Sequence, residues 1–134
     1  MNFWIIKSDP ESYGWSEMKR DGTTFWDGVR NYQARNNLNL MKRDDIALFY
    51  HSNTDKSIMG EVKIVKEAYQ DPTIDDNRWV AVDVEFIREY SKKLSLSKMK
   101  THPVLSNIYL VKHSRLSVMP ISKEEYEIIL DLAL

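Results

Sequence analysis

Val80-Ala81-Val82-Asp83-Val84-Glu85-Phe86-Ile87 is the clearest period-two stretch of the chain. Val80, Val82, Val84 and Phe86 share one face and Ala81, Asp83, Glu85 and Ile87 the other, the pattern of a half-buried strand. Upstream lies a long polar connection, Gln70 to Asn77, headed by Asp71-Pro72. Before it, Ile46 to Tyr50 and Met59 to Val65 read as strands joined through His51 to Ser57, a hairpin. Phe3 to Ile6 is a short apolar run stopped by Ser8-Asp9-Pro10, as a buried strand would be. Between these strands, Trp15 to Gly22 reads as one or two helical turns with Ser16 as N-cap and Gly22 as stop. Trp26-Asp27-Gly28 signals a turn, and Asn31 caps a helix over Tyr32 to Lys42 whose narrow stripe is Ala34, Leu38 and Met41. Downstream, Ser97 to Lys100 starts a short helix that breaks near His102-Pro103, with Pro103 opening another turn. Tyr109 to Lys112 and Leu116 to Met119 are candidate strands. Ser122-Lys123-Glu124-Glu125 fits a capping box that opens a helix with Tyr126, Ile129, Leu130 and Ala133 on one face. Short strands in blocks, interrupted by short helices, predict an α+β fold with a mainly antiparallel, curved or barrel-like sheet rather than a doubly wound parallel one.

The 134 residues form one expected domain, 1–134, without linker, repeat or low-complexity segment. A chain of this mass buries roughly two-thirds of its surface on folding. Cysteine is absent, which excludes disulfides, thiolate ligands and cysteine nucleophiles and makes a cytoplasmic setting the expectation. The apolar run near the N-terminus is too short for a signal peptide or a membrane span, so a soluble protein without a membrane partner is expected. Gly14, Gly22, Gly28 and Gly60 lie too far apart to write either glycine-rich phosphate loop, and no cofactor is expected.

The net charge of −1 hides a distribution. Residues 44–91 carry −6, whereas residues 92–123 carry +7 with no acidic residue. The basic strip is either a solvated face or a track for phosphates, whose condensed counterions it would release.

Chemistry-bearing patterns are sparse. His51, His102 and His113 fall in no zinc spacing, so no metal is expected. No nucleophile motif picks a serine out of its context. Asp44-Asp45 and Asp75-Asp76 suit solvated caps or turns. Trp4, Trp15, Trp26 and Trp79 are more informative, because three of them border turns or polar segments. Such indoles are either plugs of a small barrel or faces on which a base can stack, at roughly 1–3 kcal/mol per base.

One longer string decides between these readings. Thr23-Thr24-Phe25-Trp26-Asp27-Gly28-Val29-Arg30-Asn31-Tyr32-Gln33-Ala34-Arg35-Asn36-Asn37-Leu38 resembles the EVE domain family. So do Trp4 to Pro10, Leu48 to Asn53, Glu67 to Thr73 and Arg115 to Ile121, in the same order. The resemblance covers Phe3 to Leu130. It implies a PUA-like pseudo-barrel flanked by short helices, related to the YTH readers of methylated adenine in RNA. It also implies a function: accepting a modified base, modified cytosine in DNA above all, in an aromatic-walled pocket. The basic N-terminal tail of a eukaryotic branch is missing here, which suits a bacterial cytoplasm, and the loop at Asp71 to Asn77 is shorter than in many relatives.

Carried over by position, the resemblance makes Trp26 and Trp79 pocket walls, Ser8 and Asn31 hydrogen-bonding groups, and Tyr50, His51 and Ser52 further lining. Arg30, Arg35, Arg78, Lys112 and Arg115 become backbone contacts. The residues also admit a core or rim role for His51, a helix cap for Asn31 and ion-pair duty for Arg30 and Arg35. The expectation is a non-enzymatic, monomeric binder of DNA or RNA that takes up a flipped base. Its rivals are a base-processing enzyme using Asp27 or Glu61, and a protein-interaction module of a restriction or RNA-modification system.

Overall fold

The structure, a computed structural model, describes residues 1–134. Six strands make one unclosed sheet: β1 (Phe3–Ser8), β2 (Thr23–Trp26), β3 (Ile46–His51), β4 (Ser57–Gln70), β5 (Val80–Ser95) and β6 (Val118–Ile121), in the order β2-β5-β4-β3-β1-β6. Every pairing is antiparallel except β1 with β3. Repeated register shifts between β4 and β5 bend these long strands, because each bulge adds local twist. The curved, open sheet with short helices around it is a PUA-like pseudo-barrel of the α+β class.

The same bulges explain why β4 and β5 run far beyond their alternating stretches. Each bulge resets the period-two pattern, and in the Arg88–Ser95 part of β5 only Tyr90 and Leu94 are buried, so neither signal persists. The hairpin of β3 and β4 is formed. Pro120 sits inside β6, which is possible because β6 is an edge strand and one of its sides needs no ladder donors.

The helices are α1 (Pro10–Tyr13), α2 (Trp15–Asp21), α3 (Tyr32–Leu40), α4 (Leu96–Thr101), α5 (Tyr109–Lys112) and α6 (Lys123–Ala133), with a 3₁₀ turn at Leu105–Asn107. Asn31 caps α3 by accepting from Ala34 N at 2.9 Å, and Ser122 with Glu125 closes the capping box of α6. Helix α2 starts two residues earlier than Ser16 would place it. Gly14 is its N-cap, and the Trp15 N–H, an orphan of the first turn, donates to His51 Nε2 at 2.8 Å. Tyr109 to Lys112 is a helical turn rather than a strand. Its β-favouring side chains have no ladder to join, since β6 already occupies the edge beside β1, and a turn buries Leu110 instead.

The core lies between the sheet and these helices. Ile5, Ile6, Leu48, Phe49, Ile64 and Val84 from the strands meet Met18, Leu38 and Ile129 from α2, α3 and α6, all nearly or fully buried. Glu61 docks α6 onto the sheet: its carboxylate accepts from Tyr90 OH and Tyr126 OH, each at 2.9 Å, and from Arg88 Nε at 3.3 Å. No helix is long and apolar enough to cross a membrane.

Candidate functional site

A cavity of about 770 Å³ opens where the end of β1, the one-turn helix α1 and the β2–α3 connection converge. Asp9 caps α1 by accepting from Glu11 N at 3.0 Å, and Pro10 at the first helical position starts the turn with a φ already suited to it. That turn brings Tyr13 round to face β2. On the far side, the chain leaves β2 through Gly28, whose φ of +77° is cheap only for glycine, and enters α3 at the Asn31 cap.

Trp26 is the indole of this cavity. It is 8% exposed and stands edge-on to Phe49 at 5.5 Å and to Tyr13 at 6.4 Å, so its orientation is set from behind by packing. Ser8 and Asn31 line the same space, together with Arg30. Tyr13 and Phe25 line it too, as does Asp27. Phe25 is 46% exposed, an unusual state for that side chain. Neither aromatic is marked in the sequence: Tyr13 depends on a one-turn helix, and Phe25 on a strand too short to show a period. Lys7 also lines the cavity, and its Nζ donates to Ser114 O at 2.8 Å. Burial lowers its pKa.

The rim is held from outside by Asp71, whose side chain is fully buried. Its Oδ2 accepts from Gly28 N at 2.9 Å and from Arg30 Nη1 at 3.0 Å. Its Oδ1 accepts from Thr73 N at 2.7 Å and Thr73 Oγ1 at 2.5 Å. Burial by itself would raise this carboxyl's pKa, but the hydrogen bonds from Thr73, Gly28 and Arg30 favour the charged form and hold it at about 2. The β4–β5 connection is thereby tied to the cavity rim. In the sequence, Asp71-Pro72 signals only a turn.

Several expected lining residues lie elsewhere. Trp79 does not reach the cavity: its indole packs on Tyr32 of α3 at 5.1 Å, with the Arg30 and Arg78 guanidinium groups about equally near its ring, at 5.8 and 5.9 Å. The β4–β5 connection turns back through Asp71, so Trp79 stands behind Arg30 rather than opposite Trp26. The cavity therefore has one indole wall. Tyr50 and His51 are buried on β3, one strand away from the cavity. Because the Trp15 N–H requires His51 Nε2 to accept, the ring proton sits on Nδ1, which faces Asp55 at 3.0 Å. His51 is a structural tie between β3 and α2. Ser52 donates its N–H to Ser8 O at 2.9 Å, supporting the wall from behind.

Of the five basic residues expected as backbone contacts, Arg30 alone is on the wall. Arg35 lies over the Tyr32 ring at 4.9 Å, and Arg78 is paired with Asp76 at 2.6 Å. Arg115 is exposed, two residues from the wall residue Ser117. Lys112 belongs to a second, smaller cavity of about 370 Å³ beside the start of α6. Glu61 is consumed by the α6 docking contacts, which leaves Asp27 as the carboxylate of the two that faces the cavity.

The EVE domain family profile matches residues 2–132. Thymocyte nuclear protein 1 of Gallus gallus is 39% identical over 163 aligned positions, covering 96% of this chain and 67% of its own. A crystal structure of the human THYN1 protein in complex with 5-methylcytosine-containing DNA superposes with a TM-score of 0.90 at 36% identity, covering 99% of this chain and 98% of that one. The YTH domain of Mmi1 shares the fold, with a TM-score of 0.60 at 16% identity over 98% of this chain and 86% of that one.

Proposed function

The chain belongs to the EVE domain family, and from that premise we propose that it is a non-enzymatic module that binds DNA by accepting one flipped, modified base of the 5-methylcytosine kind in the cavity beside Trp26. The observation that carries the reading is the convergence of the Trp26 indole with two hydrogen-bonding side chains, Ser8 and Asn31, on one cavity of about 770 Å³. The similarity to a human protein crystallised with 5-methylcytosine-containing DNA supports the choice of ligand.

The energetics suit this division of labour. Extruding a base costs a few kcal/mol of lost stacking and pairing. A well-held aromatic face returns roughly 1–3 kcal/mol of that. Trp26 is held by Phe49 and Tyr13, so little further ordering is needed when a base arrives. Arg30 at the rim, with Arg35, Arg78 and Arg115 on the surrounding surface, would contact phosphates and set register without reading sequence. Lys112, at the second cavity, would do so only on a longer duplex. With a net charge of −1, the grip on unmodified DNA is expected to be weak and salt-sensitive. A cytoplasmic setting and a monomeric state accompany this reading.

Titration of the protein into matched duplexes with cytosine or 5-methylcytosine at one position tests the proposal. Tighter binding of the methylated duplex, with no base released on long incubation with excess protein, is the expected result. Equal affinities, or appearance of free base, would overturn it.

A further inference from the structure

A protein that reads 5-methylcytosine in DNA faces a competitor present everywhere. Thymine has the same ring size and the same 5-methyl group, so stacking on Trp26 cannot tell the two apart. They differ along one edge. Cytosine carries an amino donor at C4 beside an accepting N3; thymine carries an accepting O4 beside an N3–H donor. Discrimination therefore needs wall groups whose hydrogen-bond direction is fixed before the base arrives, because a freely rotating hydroxyl serves either edge.

The charged wall groups have a fixed direction by their chemistry, and among the neutral ones Ser8 and Asn31 acquire it from contacts with the backbone. Ser8 Oγ donates its proton to the Tyr13 carbonyl, which can only accept, so the hydroxyl has only lone pairs left to offer. Asn31 Oδ1 accepts the Ala34 N–H at 2.9 Å as the cap of α3, so its free amide group is Nδ2, which can only donate. The backbone contacts on β1–α1 and on α3 thus polarise the cavity: an acceptor on one wall and a donor on the other. Ser12 and Ser117, also on the wall, make no such contact and carry no bias. Asp27, a carboxylate of the same wall, adds acceptor capacity.

Resting on the base-reading function above, we propose that Ser8 and Asn31 are the specificity-determining pair, with Ser8 accepting from the C4 amino group and Asn31 donating to the ring N3. The pair selects amino-bearing 5-methylcytosine and rejects thymine, whose O4 and N3–H present the opposite pattern to the same two groups.

The test uses duplexes in which a single 5-methylcytosine or thymine stands opposite an abasic position, so that neither base has a pairing partner to lose. The wild-type protein is expected to bind the 5-methylcytosine duplex about tenfold or more tighter than the thymine duplex, as one wrong edge is worth. Asn31→Asp keeps an equally good helix cap while replacing the donor with an acceptor. That variant should bring the ratio to within about threefold, and Ser8→Ala, which removes the acceptor, should do the same. A wild-type ratio near one, or an unchanged ratio in both variants, overturns the inference while a preference for 5-methylcytosine over cytosine in paired duplexes leaves the base-reading function standing. Loss of that second preference in the wild-type protein overturns both.

Discussion

Arg30 Nη1 lies 3.0 Å from Asp71 Oδ2, a partly exposed guanidinium on a fully buried carboxylate. The contact joins the rim of the cavity to a loop more than forty residues away, and the same oxygen also takes the Gly28 N–H. A buried carboxylate with four donors is stable only while all four stay in place.

Asp71→Asn should therefore act on both stability and binding. An amide retains one accepting oxygen and turns two hydrogens toward groups that are themselves donors. Leaving buried donors unmatched costs about 1–3 kcal/mol, so the urea midpoint at pH 7 should fall accordingly. Binding of methylated duplex should weaken several-fold, because Gly28 to Asn31 loses its anchor. An unchanged midpoint would contradict this account.

The same carboxylate predicts a pH dependence. Its pKa is about 2 in the folded protein against an ordinary value of 3.8, so the unfolded chain takes up the proton first as acid is added. The stabilisation is fully present above pH 4 and is lost as pH falls toward 2. The stability gap between wild type and Asp71→Asn should be constant from pH 7 to about 4.5 and close below that. Acid titration of the two proteins followed by circular dichroism would show it, and a gap that instead widens on acidification would refute the sign.

Trp26 and Trp79 should separate in binding. Trp26→Leu removes the indole face from the cavity and should lower affinity for methylated duplex about tenfold or more. Trp79→Leu disturbs the Tyr32 contact outside the cavity and should cost clearly less. Thermal melts of both variants, run beside the titrations, allow affinities to be compared at temperatures where each is folded. Equal losses would restore a two-indole clamp.

Gly60→Ala should be among the most damaging small substitutions. A Cβ there would lie 2.5 Å from Arg88 O and closer still to the Trp15 indole, so backbone and a buried ring would both have to move. Overpacking of this kind costs typically 1–3 kcal/mol and at times more, read as a lower melting temperature. A melting temperature within a degree of wild type would show that the strands give way more easily than this packing suggests.

Features written within a few consecutive residues were legible in the sequence. The Asn31 cap, the Ser122 capping box, the Gly22 stop and the strand at Val80 to Ile87, whose burial alternates from Val82 onward, each depend on neighbours within one turn or one strand repeat, and each is formed. The start of α2 at Trp15 was hidden because the partner of that residue's N–H, His51, lies far along the chain. Tyr109 to Lys112 was misleading because β propensity has meaning only beside a strand with a free edge.

Amino-acid order alone determined the fold class, the absence of cysteine chemistry and glycine-loop cofactor sites, and the stretch from Trp26 to Asn31 that borders the cavity. Only tertiary structure decided that Tyr13 and Phe25 join Trp26 there, that Trp79 does not, and that Asp71 braces the rim. The reason is that the cavity is assembled from segments brought together by the parallel pairing of β1 with β3 and the antiparallel pairing of β2 with β5. Local rules reach three or four residues, and those pairings span tens.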